Sequence, residues 1–319
     1  MSRAKTVWLI VAASLVVLGL ATVFVACLMG WNISNLGANK YQTNTYEVTQ
    51  EFSNISIDTD TADITLKASD DGACRVICYE QERERYSVEV QNGTLTVNVI
   101  NEKKWYDYIG INLDSPKITV YLPEAEYDVL TIEESTGDIE ISRELKLRNI
   151  DISVSTGNVG CYASATEAIK ISTSTGDIYA ENISASSLAL SVSTGDITAS
   201  DIICEGDITI RVSTGKSYLT DISCKNLISS GDTGDISLTN TVATESFSIE
   251  RSTGDVTLDS CDAAEIFIET DTGDVEGSLL SEKVFIVNTD TGKTEVPNSI
   301  TGGRCEITTD TGDIKITVG

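Results

Sequence analysis

Hydrophobic and polar residues alternate along most of the chain beyond residue 46. Leucine and valine alternate with small or polar residues in 188–192, and isoleucine and valine do so in 208–212. A period of two is typical of a β-strand with one buried face. An amphipathic helix would place apolar residues three and four apart, and no repeat shows that spacing. The pattern therefore predicts many short strands.

A turn of the form Ser/Asp-Thr-Gly-Asp interrupts these strands ten times between residue 135 and the C-terminus. Glycine suits such a turn because it reaches positive φ without a Cβ clash. The turn glycines are Gly137, Gly157, Gly176, Gly195, Gly215, Gly234, Gly254, Gly273, Gly292 and Gly312. Their spacing of 19 or 20 residues indicates a solenoid, in which each repeat is one coil stacked on the last. The sequence predicts an all-β fold, a parallel β-helix with coils of 19–20 residues.

The N-terminus carries an apolar segment, residues 7–29, of 23 residues without a charge. That length spans a bilayer. Because Arg3 and Lys5 precede it, the positive-inside rule predicts a cytoplasmic tail at 1–6 and an extracellular body. The expectation is a single-pass protein of the cell membrane. Two alternatives stay open, a lipoprotein acylated at Cys27 and a cleaved signal peptide.

The rest of the chain divides into three parts. Residues 30–45 are expected to form a tether, 46–134 a β-rich N-terminal cap, and 135–319 a solenoid of ten repeats. Within the cap, Asn92-Gly93 is a strong hairpin turn. The last coil ends at 314–318 without a capping helix, so it is expected to form an exposed edge at which copies could assemble.

The position after each turn glycine is mostly aspartate. Asn158, Lys216 and Lys293 are the exceptions. Like charges in neighbouring coils repel weakly in water, and Lys293 is expected to relieve that repulsion between Asp274 and Asp313. The simplest interpretation of the acidic column is that aspartate caps the turns.

A calcium-binding edge is the alternative interpretation of these acids. Calcium takes six to eight oxygen ligands, several of them from carboxylates. Aspartate replaces the serine of the motif late in the chain, which increases the density of carboxylates there. The candidate ligands are Asp271, Asp274, Asp290, Asp310 and Asp313. Calcium is the one cofactor that the sequence suggests.

One cluster of aromatic residues stands out in the cap. Trp105, Tyr106 and Tyr108 follow two lysines. Aromatic rings with polar neighbours can stack on a sugar ring, which would make this an interaction site. The same residues could instead cover the open edge of the first coil.

Eight cysteines are present in the chain. Cys204 and Cys224 occupy the same place in neighbouring coils, nine residues after the turn glycine. They could form a disulfide in an exported protein. The alternative is that both are small core residues with stacked thiols.

Composition excludes several function classes. The net charge is −27, so a basic surface for nucleic acid is absent. The chain has no histidine, which removes the commonest general base and metal ligand. No phosphate-binding loop, dinucleotide fingerprint or nucleophile elbow occurs. The expectation is a protein that is not an enzyme and does not bind nucleic acid.

Several segments carry a resemblance to a known family. Besides the Ser-Thr-Gly-Asp-Ile turns, they are 41–46, 61–64, 104–107 and 116–123. The chain resembles the bacterial putative-adhesin β-solenoid family, a family of unknown function common in Gram-positive bacteria. The resemblance implies a right-handed β-solenoid, exposed at the cell surface on a membrane anchor.

The expected function is that of a non-catalytic adhesin or interaction scaffold. Its partner would be a protein or a cell-wall polysaccharide, and residues 7–29 would bind the membrane. Two further functions stay open. One is an accessory component of an envelope-stress sensing system, as some members of the family resemble, and the other is a self-assembling structural protein of the surface.

Overall fold

The computed structural model describes residues 3–28, 41–102 and 114–319. Its helix is α1, Arg3–Leu28. The strands are β1 Tyr41–Val48, β2 Asn54–Thr61, β3 Asp63–Ala68, β4 Cys74–Gln81, β5 Glu84–Gln91, β6 Thr94–Asn101, β7 Lys117–Leu122, β8 Glu126–Thr136, β9 Ile139–Ile141, β10 Lys146–Thr156, β11 Val159–Cys161, β12 Ala165–Thr175, β13 Ile178–Ala185, β14 Ser187–Thr194, β15 Ile197–Cys204, β16 Asp207–Thr214, β17 Ser217–Thr233, β18 Ile236–Thr253, β19 Val256–Thr272, β20 Val275–Leu279, β21 Lys283–Thr291, β22 Thr294–Glu295, β23 Gly303–Thr311 and β24 Ile314–Val318. The prediction of an all-β body is confirmed.

Most of the strands stack in parallel and form an all-β solenoid of about ten turns. Ile178 of β13 pairs with Ile197 of β15, and Leu188 of β14 pairs with Ile208 of β16. Inward-facing side chains alternate with exposed ones along each strand, as in β16, where Ile208 is buried and Asp207 is exposed. Fully burying one such side chain contributes about 1.5–3 kcal/mol. The columns of stacked apolar residues form one continuous core.

Neighbouring coils approach most closely at the turn glycines. A Cβ atom on Gly157 would lie 1.9 Å from the carbonyl oxygen of Gly137, and one on Gly195 would lie 2.2 Å from that of Gly176. Real Cβ atoms do not come so close to backbone. This close approach, together with the positive φ of most of these glycines, explains why the turn repeats glycine.

The N-terminal end of the solenoid does not stack in chain order. Ile55 of β2 pairs with Leu130 of β8 on one side and with Leu95 of β6 on the other. Strand β3 lies likewise between β9 and β7. Beyond this outer layer, β5 pairs antiparallel with β6, β4 with β7, and β1 with β4. These strands form the predicted β-rich cap.

The boundaries of the cap differ in part from the prediction. The hairpin turn at Asn92-Gly93 is confirmed, because both residues have positive φ and join β5 to β6. The tether predicted at 30–45 is too long, since β1 begins at Tyr41 and its ladder with β4 holds residues 41–45 in the sheet. Residues 29–40 lie outside the described residues.

The C-terminal end also departs from chain order. Cys305 of β23 pairs with Ile266 of β19 on one side and with Phe285 of β21 on the other. After β20 the chain therefore moves outward to β21 and β22, then returns to lay β23 and β24 beneath them. The outermost strands are β21 and β22, which precede the last two strands in sequence.

The expectation that residues 314–318 form the open end is therefore only partly right. Strand β22 covers Ile314 and Lys315 of β24, whereas no strand among the described residues pairs with the outer side of 316–318. The side chains of Ile314 and Ile316 are buried. The outermost coil packs over β23 and the start of β24 because the inward apolar side chains of these strands are removed from water only when another coil covers them.

Helix α1 includes most of the predicted transmembrane segment. Its described side chains are those of Lys5, Trp8, Val25 and residues 11–21, which are exposed. Across the described parts of the chain, no helix has both the length and the apolar character needed to cross a membrane. The transmembrane segment predicted at 7–29 and the cytoplasmic tail at 1–6 are thus not supported by the structure.

Candidate functional site

The aspartates after the turn glycines form a ladder of hydrogen bonds along the rod. The Oδ1 atom of Asp177 accepts the backbone N–H of Asp196 at 2.8 Å, and Asp196 accepts that of Lys216 at 2.7 Å. Asn158 does the same for Asp177 at 2.9 Å. Each side chain thus caps a backbone donor of the next coil, and the prediction of turn capping is confirmed.

The two lysines in this ladder behave differently. Lys216 forms an ion pair with Asp235 at 2.9 Å, which offsets charge between neighbouring coils. The expectation that Lys293 lies between Asp274 and Asp313 is wrong, because Asp274 accepts the N–H of Asp313 at 2.7 Å. Lys293 donates its own N–H to Asp313 at 2.8 Å from the outermost coil. Lys293 therefore takes the position of the capping aspartate in the outermost described coil, beyond which no described coil offers a backbone N–H to accept.

The five aspartates predicted as calcium ligands do not converge. Among the described residues, no group of three acidic or cysteine side chains could hold a metal ion. One oxygen each of Asp274 and Asp313 is used for the ladder. The register of the strands places Asp271, Asp310 and Asp290 in a separate, exposed column, one in each successive coil. The calcium interpretation therefore lacks a site in the described part of the chain.

The cysteines also follow the simpler interpretation. Cys204 and Cys224 are both buried and free. Burial raises the pKa of the Cys224 thiol to about 12, so it stays protonated. The two residues are stacked core thiols without a disulfide.

Trp105, Tyr106 and Tyr108 lie outside the described residues. A different pair of aromatic residues borders the aspartate ladder. Tyr162 and Tyr179 line a shallow depression of about 280 Å³, and Tyr179 donates a hydrogen bond to Asp177 at 3.2 Å. Sequence reasoning missed this pair, although Tyr179 occupies an exposed position of β13 and Tyr162 directly follows β11.

A deeper groove lies on the segments that connect the two faces of the first coils. It has a volume of about 710 Å³. We call it the return groove, and its lining comprises Glu126, Arg143, Leu145, Lys146, Leu147, Ser164, Ala165, Thr166, Ser184, Ala185, Ser186, Ile203 and Glu205.

The return groove forms where the connecting segments leave the sheet. In the first two regular coils, 142–145 and 162–164 lie outside strands, whereas β13 and β15 continue as far as Ala185 and Cys204. The early coils therefore lack backbone ladders at this place. Small side chains on the next coils leave the resulting space open.

The return groove combines apolar, hydroxyl and charged groups. Ala165 and Ala185 are buried beneath it, while Ile203 is 65% exposed on its far wall. The Ser164 hydroxyl accepts the backbone N–H of Ser184 at 2.9 Å. Arg143 also lines the groove and is exposed. The arrangement offers shape and polar contacts but no acid, base or nucleophile in an activated pair.

Two polar side chains are buried in the core near the turns. Glu134 accepts hydrogen bonds from Thr59 and from the backbone N–H groups of Ala62 and Thr136. Burial outweighs these bonds and raises the pKa of Glu134 to about 7. Arg251 donates to the Ser229 hydroxyl at 2.8 Å, and burial lowers its pKa to about 10. Both groups are satisfied by neighbours within the solenoid.

Several solved structures have a similar fold. A protein described as a putative lipid binding protein, from Parabacteroides distasonis, matches with a TM-score of 0.51 and 17% identity, over 86% of this chain and 97% of that one. Proteins described as putative adhesins, from Bacteroides fragilis and Parabacteroides distasonis, match with TM-scores of 0.41 and 0.45, at 15% and 12% identity. These two alignments cover 88% of this chain and 99% and 98% of the respective neighbours. At such identities the likeness concerns the fold alone.

A comparison with curated proteins finds no match. The family comparison is more informative, because it covers nearly all of the β-rich body. Residues 52–211 and 203–319 both match the family described as Toastrack DUF4097. The chain therefore belongs to the Toastrack DUF4097 family.

Proposed function

We propose that this chain is a non-catalytic interaction scaffold of the cell surface, an adhesin, which holds its partner in the return groove. The observation that carries the proposal is the groove itself. It interrupts an otherwise regular stack of coils and has the volume of a ligand site, which is commonly about 300–1,000 Å³.

The chemistry of the groove favours an extended polar partner. Serine and threonine side chains lie along it, Ile203 provides an apolar contact, and Arg143 and Glu205 are among its charged lining residues. A cell-wall polysaccharide or an extended segment of a protein presents hydroxyl or amide groups beside apolar surface. A nucleic acid is disfavoured, since a net charge of −27 repels phosphates.

Other parts of the proposal rest on the sequence. They are the right-handed winding, coils of 19–20 residues, attachment to the cell membrane by residues 7–29, and a Gram-positive source. The proteins described as adhesins or lipid binding share the fold, and their descriptions are consistent with a binding role here.

The test is a binding assay with the labelled full chain, using intact bacterial cells and isolated wall polymer. Ser184→Trp fills the groove from an exposed position, so it should weaken binding at least tenfold. Ser223→Trp is the matched control, because Ser184 stacks on Ile203 and Ile203 stacks on Ser223, two coils away. If both variants bind equally, or the parent chain binds neither target, the proposal fails.

A further inference from the structure

The outermost coil at the C-terminal end has an open edge. We call this surface the C-terminal face and define it as residues 280–302, which include β21 and β22. Strand β21 pairs with β23 on one side, and within the described ranges no strand pairs with its other side. A strand in this position presents unpaired backbone donors and acceptors to a further strand.

Apolar side chains on the C-terminal face are only partly covered. Phe285 occupies the same inward column as Phe247, yet Phe247 is fully buried and Phe285 is not. Ile286 is 49% exposed and Ile300 is 89% exposed. The column of core residues thus continues into β21, where no further layer among the described residues covers it.

The charge of the chain falls sharply at this face. Residues 256–278 contain seven acidic and no basic residues, a net charge of −7. The next 23 residues, 279–301, contain three acidic and two basic residues, a net charge of −1. Lys293 contributes to this difference, because it stands where most coils carry aspartate. Two acidic rods therefore repel each other least where their C-terminal faces meet.

The opposite end of the rod has a different covering. There, the antiparallel strands β1, β4 and β5 lie outside the parallel coils. Head-to-tail stacking would therefore place the parallel strands of a C-terminal face against antiparallel strands of the other copy, which differ from it in geometry. The surface of matching shape and low charge is the C-terminal face of a second copy, and a contact between two identical faces closes as a dimer.

We propose that two copies of this chain associate end to end through their C-terminal faces, with β21 of each copy adding as a strand to the other. A two-fold axis makes the added strand antiparallel, which allows a full ladder of hydrogen bonds. The dimer would present two return grooves on one double-length rod.

The experiment measures the mass of the full chain in detergent by sedimentation, from about 1 to 100 µM, a range that spans ordinary protein dimers. The parent chain should be a dimer that dissociates on dilution. Ile286→Lys puts a charge on the exposed surface of β21 and should weaken the dimer at least tenfold. Ile228→Lys is the matched control, since Ile228 is 40% exposed in the middle of the solenoid.

A second variant tests the geometry of the contact. Ile286→Cys should give a dimer linked by a disulfide after mild oxidation, whereas Ile228→Cys should not. The proposal is overturned if the parent chain is monomeric throughout, or if Ile286→Lys and Ile228→Lys associate as strongly as the parent. The latter result would indicate association through another part of the chain, such as α1. Neither outcome bears on binding at the return groove, which Ser184→Trp tests separately.

Discussion

At the N-terminal end of the solenoid, antiparallel strands cover the outer layer formed by β6 and β7. At the C-terminal end, the outer layer of β21 and β22 has no further strand over it among the described residues. Leu95 of β6 is fully buried in consequence, whereas Val287 of β21 is only partly buried. Among the described residues, the outer layer of coils is thus covered at the N-terminal end, called the closed end, and uncovered at the C-terminal end, called the open end.

The two ends also share a feature. At each end, the order of the coils along the rod differs from their order in the sequence. Strand β2 lies beneath β6, and β23 lies beneath β21. The start of the C-terminal strand, Ile314 and Lys315, is thereby held between two others. The comparison shows that out-of-order stacking protects a terminal strand but leaves the outermost edge to be covered by something else.

Buried polar groups fix the closed end in place. Glu80 accepts hydrogen bonds from the Asn44 side chain and from the backbone N–H of Tyr86 at 2.7 Å. The Tyr86 hydroxyl donates to the Thr61 carbonyl at 2.9 Å, and burial raises the pKa of Tyr86 strongly. Because an unpaired buried polar group is costly, this network favours one register of the cap.

The largest expected effect comes from truncating one side chain in each outer layer. Leu95→Ala removes a fully buried side chain at the closed end and should lower the free energy of unfolding by about 2–5 kcal/mol. Val287→Ala at the open end should cost less than about 1 kcal/mol, because the side chain is already partly hydrated. Denaturant titration at low protein concentration measures both, and equal losses would contradict the difference between the ends.

A second prediction concerns pH and again distinguishes the ends. The pKa of Glu134, beside β2, is raised from 4.5 to about 7 in the folded chain. Between roughly pH 4.5 and 7 the folded chain therefore binds a proton that the unfolded chain has released. Stability from this group is fully present below pH 4.5, falls as pH rises through 7 and is level above it, a change on the order of 2 kcal/mol.

Glu134→Gln should remove that slope from the stability profile. Glu269→Gln is the control, because Glu269 is exposed in β19 and its loss changes the net charge by the same amount. Thermal melts from pH 4.5 to 8 compare the two variants. A slope that persists in Glu134→Gln, or disappears in both, would assign the pH dependence to the overall charge.

The smallest expected effects lie in the aspartate ladder. Asp274→Ala leaves the backbone N–H of Asp313 without its acceptor and should cost about 1 kcal/mol. Asp274→Asn should be nearly neutral, since Asn158 already accepts such a bond in its own coil. Lys293→Ala, at the open end of the ladder, should change stability by less than about 0.5 kcal/mol. Chemical denaturation ranks the three, and a costly Lys293→Ala would mean that a further layer rests on the ladder.

Much of the fold is predictable from the sequence. The alternation and the glycine period predict stacked strands, because both follow from local geometry that every coil repeats. The Asn92-Gly93 turn predicts its hairpin for the same reason. The capping role of aspartate is also predictable, and the structure adds that each cap serves the next coil.

The order of the last coils is not predictable from the period. Gly292 follows Gly273 in sequence, yet a Cβ atom on Gly312 would lie 2.0 Å from the carbonyl oxygen of Gly273. Identical turns stack equally well in either order, so the local pattern does not encode which coil is outermost. The lysine at position 293 does not by itself identify the outermost coil, because Lys216 takes the same position in the middle of the ladder. Chain order alone would place Lys293 between Asp274 and Asp313.

The return groove was missed for a related reason. It arises where 142–145 and 162–164 leave the sheet. The groove therefore depends on the absence of paired strands in two adjacent coils, which the pattern of a single coil does not reveal. The interruption of the alternation at Arg143 and Glu144 is the one local signal. Arg251 was missed as well, although it faces inward in the same column as Val212, because only the structure shows the Ser229 hydroxyl that accepts its hydrogen bond.

Hydrogen–deuterium exchange of the full chain, resolved by peptide, tests the asymmetry of the ends most directly. Backbone amides in β23, residues 303–311, should exchange more slowly than those in β21, residues 283–291, although β23 is nearer the C-terminus. The amides of β6 should be protected to the level of the central coils. Protection that instead declines steadily toward the C-terminus, with β23 faster than β21, would contradict the out-of-order stack and the open edge that follows from it.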